Sequence, residues 1–257
     1  MTLDVLTELT LSPPVNLRDL GGIATRTGTV RPGVVIRADD LSLADSESAA
    51  RLADDGLTAV VDLRTADEVR LTGRGPLGAL PVTYHHVPFI ASVAATTRDV
   101  VGGAAFDQSR FAAMYIDMFE SAAPRIVTAL SIIAHSRGTV AFHCAAGQDR
   151  TGVLAASLLL ALDAESDTIV ADYLATGPNS DAVMARTRQV IAPLLAQTGV
   201  DLDELGQRAG NAEFSPAPMH GLLTYLDETY TDPLEPLRRA GLTDGLLASL
   251  RERAIAS

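Results

Sequence analysis

Short apolar segments alternate with helical patterns along this 257-residue chain, and no other feature restricts its fold as strongly. Strand-like runs occur at 34–36, 58–63, 82–89 and 139–143. Between two of them, Thr65 is followed three residues later by Glu68, a spacing that predicts a capping box at a helix start. Strands separated by helices pair in parallel, because a tight turn cannot connect them. The pattern predicts an α/β fold with a largely parallel central sheet flanked by helices.

The remaining segments predict further helices. Ser42 can cap a helix that runs to Asp54, and the segment 111–136 predicts helices divided near Pro124. From Ala164 onward the pattern stays helical almost to the end, which predicts a helical C-terminal third.

No interdomain linker is visible in the chain. We therefore expect an N-terminal lead-in over residues 1–15 and a single domain over 16–257. Residues 91–109 are small and polar with no clear period, so this segment is a candidate lid.

The charged residues exclude several kinds of chemistry and partner. The chain has 32 acidic and 20 basic residues, a net charge of -12, and every basic residue is an arginine. Without lysine it cannot carry a lysine-dependent phosphate loop or a Schiff-base lysine. A negative protein is also a poor partner for nucleic acid or an anionic membrane. We expect no nucleic-acid partner and no stable membrane association.

Cys144 is the single cysteine of the chain. One cysteine excludes an internal disulfide and a multi-cysteine metal site. The first ten residues are acidic and lack the apolar core of a signal peptide, and the longest apolar stretch, 152–162, is about half a membrane span. The sequence therefore predicts a cytoplasmic protein without a metal or cofactor.

The segment around Cys144 is the one in which we expect chemistry. Residues 139–143 predict a strand, 144–149 a tight loop, and 151–162 an apolar helix. Open α/β sheets bind ligands at the carboxyl ends of their strands. A loop wrapped around a helix start presents backbone N–H groups that no helical carbonyl takes up, and such groups bind tetrahedral anions. Gly147 permits the positive φ that this loop needs.

Cys144 and Arg150 have complementary roles in this loop. Arg150 can hold an oxyanion through two parallel N–H bonds. The same donors and the helix dipole favour the thiolate form of Cys144, and a thiolate aimed at phosphorus is a nucleophile for phosphoryl transfer. The structural alternative is an inert cysteine at the start of a core helix, which needs no neighbouring Gly, Asp and Arg.

The loop HCAAGQDRTG at 143–152 resembles the HCxxGKDRTG signature of the atypical bacterial tyrosine phosphatases, which include dual-specificity and phosphoinositide-active members. The resemblance extends from about residue 16 to 253. It includes NLRDLGG at 16–22, a segment from Arg37 similar to RSxxL but with Ala38 for the serine, VDLRT at 61–65 followed by Glu68, and DYL at 172–174.

The resemblance implies a cysteine-phosphatase-like fold and a phosphocysteine intermediate. It implies that Cys144 is the nucleophile, that Arg150 binds the phosphoryl oxygens and that Asp149 is the general acid. His143 would orient the loop. The substrate, a phosphotyrosine protein or a small phosphomonoester, would be bound by the rest of the loop: Ala145, Ala146, Gly147, Gln148 and Thr151, whose hydroxyl would also steady the thiolate as leaving group. Gln148 replaces the family lysine, which argues against a preference for phosphoinositides.

Several residues also have structural interpretations. Asp62 is an alternative general acid, but we favour a structural Asp62 beside an Arg64–Glu68 ion pair. We expect Arg18 and Asp19 to support a tight turn. Tyr115, with Met114 and Met118 at helical spacing, is expected in the core rather than at the substrate.

The leading hypothesis is a phosphomonoester hydrolase, most simply a protein-tyrosine phosphatase. The alternatives are a phosphoinositide or dual-specificity phosphatase, a rhodanese-like sulfurtransferase and a phosphate-binding pseudophosphatase. Only the phosphatases require Gly147, Asp149 and Thr151 together with the cysteine.

Overall fold

The computed structural model describes residues 9–93, 109–196, 199 and 214–256. Its main sheet has five strands. In spatial order they are β1 (Arg18–Asp19), β4 (Val35–Ala38), β7 (Thr139–His143), β5 (Leu57–Asp62) and β6 (Thr83–His86). The last four are mutually parallel, and β1 runs antiparallel to β4. The expected largely parallel α/β sheet is confirmed.

A second, smaller sheet joins the two ends of the described chain. It is antiparallel and contains β2 (Ala24–Thr25), β3 (Gly28–Val30) and β8 (Ile255–Ala256). Strands of two or three residues are too short to show an alternating pattern, which is why the sequence did not predict this sheet.

Helices cover the sheet and make up most of the C-terminal part. They are α1 (Ser46–Asp54), α2 (Ala66–Thr72), α3 (Ser109–Ser121), α4 (Ala123–His135), α5 (Asp149–Ala161), α6 (Ser166–Leu174), α7 (Ser180–Ala196), α8 (Ala217–Thr229), α9 (Glu235–Arg239) and α10 (Asp244–Ala254). Pro124 lies in the first turn of α4, so the predicted division of this segment is confirmed. The helical C-terminal third is confirmed as well.

The two faces of the sheet bury separate apolar clusters. Val140 and Phe142 of β7 point into the larger cluster, where residues of α3, α4, α5, α8 and α10 pack. Ala141 points to the smaller cluster, beside Leu41 and Leu77. Because successive strand residues face opposite sides, β7 is buried on both faces. Its carboxyl end is therefore held firmly in the middle of the sheet.

The predicted start of the first helix is wrong, and two other predictions concern residues that the structure does not describe. Ser42 does not cap the first helix, because its N–H and hydroxyl both donate to Asp40 Oδ1 in a short 3₁₀ turn. The helix begins at Ser46 and is capped by Asp45. Of the candidate lid, residues 94–108 lie outside the described residues, as do residues 1–8 of the lead-in. The lid and the domain division stay predictions.

Candidate active site

Cys144 follows β7 at the centre of the sheet and precedes α5 by a tight loop. The loop closes when the N–H of Gly152 donates to the carbonyl of Gln148 at 2.7 Å, the first hydrogen bond of α5. Cys144 is only 1% exposed and lies at the base of the loop. The predicted strand, loop and helix are thus confirmed, and they place the cysteine at the carboxyl end of a central parallel strand.

Gly147 gives the loop its curvature. Its φ is +68°, in the left-handed region that glycine adopts without steric cost. A Cβ at this position would lie 2.6 Å from the carbonyl oxygen of Ala38. No other residue fits here without displacing the backbone of β4.

The carbonyl groups of the loop are turned outward. The N–H of Asp40 donates to the Ala145 carbonyl at 2.9 Å, and Asn16 Nδ2 donates to the next two carbonyls at 3.3 and 3.2 Å. Arg37 Nη2 also donates to the Gly147 carbonyl at 2.8 Å. In a planar trans peptide the N–H points opposite to the C=O. The amides that follow these carbonyls therefore point toward the centre of the loop, as an anion-binding nest requires.

The donors that hold the loop are themselves fixed by Asp172. Arg18 Nε lies 3.0 Å from Asp172 Oδ1, and Arg37 pairs with the other carboxylate oxygen. Arg18 Nη1 also donates to Asn16 Oδ1 at 2.6 Å. Burial alone would raise the pKa of Asp172, but the two guanidinium groups hold it below its ordinary value. Arg18 has a structural role, as expected, and Asp172 supports the loop through the negative charge that it presents to Arg18 and Arg37.

Arg150 is held by Glu68 of α2. The two side chains form a bidentate pair, with Nη1–Oε2 at 2.6 Å and Nη2–Oε1 at 3.0 Å. Glu68 is fully buried, and burial would raise its pKa, but Arg150 and the hydrogen bonds with Thr65 together lower it. The expected Arg64–Glu68 pair is therefore wrong. The capping box with Thr65 is confirmed, and it fixes the carboxylate that holds Arg150.

The guanidinium of Arg150 keeps donors for a ligand. An arginine has five N–H donors, and Glu68 takes two of them. The other three donate to no described residue. The fork can therefore bind an oxyanion while remaining anchored.

Asp62 lies in a separate buried network. Its carboxylate accepts from Arg64 Nε at 2.9 Å and from the Tyr84 hydroxyl at 2.8 Å, and Arg64 also reaches Asp40 at 3.0 Å. Burial would raise the pKa of Asp62, but His143 and Arg64 together lower it well below its usual value. Asp62 is thus a fully paired carboxylate, which suits a structural role.

Asp149 is the first residue of α5, and its pKa is shifted in the opposite direction to that of Asp62. The Tyr115 hydroxyl donates to its Oδ1 at 2.7 Å. Burial raises the pKa of Asp149, and this effect exceeds the lowering by Tyr115 and Arg150. A carboxyl group with a raised pKa keeps its proton to higher pH, as a general acid must. Tyr115 is buried in the core, as expected, but the helical spacing that predicted this gave no sign that its hydroxyl reaches the loop.

The remaining loop residues complete the site. His143 Nδ1 lies 3.0 Å from the Cys144 carbonyl, a distance that fits an N–H donated to that oxygen. The Thr151 hydroxyl is buried and has no hydrogen-bond partner among the described residues. Gln148 is partly exposed at the rim, with its amide nitrogen 3.5 Å from Asp149 Oδ1.

Within the described ranges, no group of three or more His, Cys, Asp or Glu side chains could hold a metal ion. None of the described helices has the length and apolar character needed to cross a bilayer.

Comparison with known proteins places this chain in a family. Residues 9–256 match the model of the tyrosine phosphatase family. The triple specificity protein phosphatase PtpB of Mycobacterium tuberculosis is 30% identical, in an alignment that covers 92% of this chain and 95% of the relative. A Cupriavidus necator protein assigned as a tyrosine-protein phosphatase is 32% identical over 62% of this chain and 59% of its own length. The chain belongs to the tyrosine phosphatase family and is a protein-tyrosine phosphatase enzyme.

Proposed function

We propose that the protein hydrolyses phosphate monoesters through a phosphocysteine intermediate on Cys144, with phosphotyrosine as its main substrate. The observation that carries this proposal is the loop itself. Its amides point toward the centre, and the anchored Arg150 retains three donors beside the only cysteine. An array of this kind binds a phosphoryl group and stabilises the charge that develops during transfer.

In the first step the Cys144 thiolate attacks phosphorus. The S–P bond forms as the P–O bond to the leaving group breaks. The leaving oxygen takes a proton from Asp149, which becomes a carboxylate. Arg150 and the loop amides bind the three phosphoryl oxygens throughout. Proton transfer of this kind contributes about 10²–10⁴-fold in rate.

In the second step water attacks the phosphocysteine. The Asp149 carboxylate accepts a proton from the water, the new P–O bond forms, and the P–S bond breaks to return the thiolate. The Thr151 hydroxyl, which is buried and has no partner in the described part of the chain, supports its assignment as the donor that steadies this thiolate. Inorganic phosphate is then released.

We assign the general acid to Asp149 rather than Asp62. The raised pKa of Asp149 favours a carboxyl group that can donate a proton, whereas the lowered pKa of Asp62 favours a permanent carboxylate. Asp149 also lies at the start of α5, directly beside Arg150.

The second candidate function is a broader phosphatase that also accepts phosphoserine, phosphothreonine or phosphoinositides. The name of the mycobacterial relative, a triple specificity phosphatase, supports it. Gln148, where the family signature has lysine, argues against the lipid part, because it removes a positive charge from the rim. We also propose a cytoplasmic location, since a reducing compartment keeps a nucleophilic cysteine in its thiol form.

A substrate panel tests the proposal. Phosphotyrosine, phosphoserine and phosphothreonine peptides and phosphoinositides are compared under identical conditions, with and without vanadate. We expect vanadate-sensitive phosphate release, fastest from phosphotyrosine, and none from Cys144→Ser, which still binds substrate. Turnover by Cys144→Ser would refute the mechanism. Greater thiosulfate sulfurtransferase activity would favour a rhodanese-like enzyme, and tight binding without turnover by the native protein a pseudophosphatase.

A further inference from the structure

We propose that Tyr115 and Tyr173 form a positioning relay that reserves Oδ2 of Asp149 for the catalytic proton. The proposal rests on the proposed function, because it assigns a supporting role around the same general acid. It concerns two tyrosines on different helices, α3 and α6, whose hydroxyl groups meet beside the loop.

The hydrogen-bond directions in this relay follow from proton counting. A tyrosine hydroxyl has one proton to donate. Tyr115 gives its proton to Asp149 Oδ1 at 2.7 Å. The contact of 2.9 Å between the two tyrosine oxygens is therefore donated by Tyr173. The chain of donors ends on a single carboxyl oxygen.

This arrangement distinguishes the two oxygens of Asp149. In the proposed relay, Oδ1 accepts the Tyr115 hydroxyl proton both when the acid is ionised and when it is protonated. The acidic proton is therefore carried on Oδ2, and rotation of the carboxyl group would break the bond to Tyr115. A fixed proton position matters because general acid catalysis requires the donor within hydrogen-bond distance of the leaving oxygen.

The relay is held rigidly by three helices. Both tyrosines are almost fully buried, and their rings meet edge to face at 6.0 Å. Tyr173 also packs on α5, where a Cβ added to Gly152 would lie 3.3 Å from its ring. The side-chain amide nitrogen of Gln148 lies 3.5 Å from Asp149 Oδ1, so the residue in place of the family lysine lies beside the same carboxyl group.

The groups that face Asp149 determine the expected pH effect. They are Tyr115 from α3, Tyr173 from α6, and Gln148 and Arg150 from the loop and its own helix. The Tyr115 bond lowers the pKa of Asp149, against the larger raising effect of burial. Without that bond the pKa rises, so the basic limb of the kcat/KM profile moves to higher pH. Asp149 then keeps its proton to higher pH, but its carboxyl group is less well positioned to donate that proton to the leaving oxygen.

The test compares two leaving groups in Tyr115→Phe. Phenyl phosphate needs a proton donor more than para-nitrophenyl phosphate, whose leaving group is more acidic. The value of kcat/KM reports the steps through loss of this group. We expect Tyr115→Phe to lower kcat/KM about tenfold for phenyl phosphate, and little for the nitrophenyl ester. Tyr173→Phe keeps the Tyr115–Asp149 bond. It should also lower kcat/KM for phenyl phosphate more than for the nitrophenyl ester, but by a smaller factor than Tyr115→Phe.

A matched control comes from the contact between α3 and α8. The Tyr225 hydroxyl donates to Glu120 of α3 at 2.8 Å, away from the loop. Tyr225→Phe removes an equivalent tyrosine–carboxylate bond and should leave both substrates and the pH profile unchanged. Thermal melting of all variants identifies any that fail to fold.

The outcomes separate the relay from the proposed function. Added to Asp149→Asn, the Tyr115→Phe change should cause no further loss, because its effect passes through the acid. An equal loss on both esters, an unmoved pH profile or an additive loss in the double variant would overturn the relay. Turnover by Cys144→Ser, or equal losses on both esters in Asp149→Asn, would instead overturn the proposed function.

Discussion

Substitution of Glu68 by glutamine should weaken both the fold and phosphate binding. Two carboxylate oxygens of Glu68 accept three hydrogen bonds, two from Arg150 and one from the Thr65 N–H at 2.7 Å. A glutamine has a single oxygen. If that oxygen takes the place of Oε2, the amide nitrogen faces Arg150 Nη2, donor against donor.

The structure sets the size of this effect. The pair is buried, with Arg150 only 7% exposed and Glu68 fully covered. Loss of one charge-assisted hydrogen bond costs about 1.5–3 kcal/mol. Glu68→Ala leaves the guanidinium without a counter-charge and should cost about 3–5 kcal/mol. With Arg150 less firmly held, we expect KM for an aryl phosphate to rise and kcat to fall.

Denaturant unfolding and steady-state kinetics measure both effects. The matched control is Glu47→Gln, which removes one charge from the exposed i,i+4 pair with Arg51. Exposed pairs of this kind contribute little, so neither stability nor activity should change. If Glu68→Gln behaved like Glu47→Gln, Glu68 would not anchor the arginine that we propose binds phosphate.

Three further predictions concern the loop and its supports. Gly147→Ala forces a Cβ against the Ala38 carbonyl at positive φ and should reduce kcat/KM for an aryl phosphate at least tenfold, with a loss above about 1 kcal/mol in stability. Asp172→Asn leaves buried arginines such as Arg37 without their counter-charge and should cost about 3 kcal/mol in urea unfolding. Because the folded-state pKa of Asp172 is lowered, its contribution to folding stability is complete above the ordinary carboxyl pKa of about 4 and is lost as pH falls below that value. The free energies of unfolding of the variant and the native protein should therefore converge in acid. Gln148→Lys adds positive charge at the rim and should raise phosphoinositide hydrolysis relative to aryl phosphate, and an unchanged ratio would contradict this role.

Local signals in the sequence predicted most of the framework. Residues 139–143 form a strand because they are apolar and β-prone, and Thr65 with Glu68 forms the expected capping box. The strand, tight loop and helix around Cys144 also followed from their local pattern. In each of these cases the interacting residues are close in the chain.

Long-range pairings could not be predicted from the single sequence. Glu68 and Arg150 are 82 residues apart, and Tyr115 and Asp149 are 34 apart. The expected Arg64–Glu68 pair used a spacing of four, but Arg64 precedes α2, so the helical rule does not apply to it. Arg64 instead pairs with Asp62 and Asp40, which the sheet topology brings to the same place.

The second polar role of Tyr115 was hidden for a similar reason. Its spacing with Met114 and Met118 marks a buried helix face, and the ring is indeed buried. Whether the buried Tyr115 hydroxyl donates to another core residue or to Asp149 depends on which helix packs against it. That information is in the tertiary structure alone.

The most direct test of the central claim is to trap the covalent intermediate. The native enzyme is mixed with an aryl phosphate, quenched in acid within one turnover and digested, and the peptide that contains Cys144 is examined by mass spectrometry. We predict one added phosphoryl group on Cys144, which is absent when substrate is omitted and in Cys144→Ser. Rapid release of the phenol with Cys144 unmodified, or with the phosphoryl group on another residue, would contradict the mechanism.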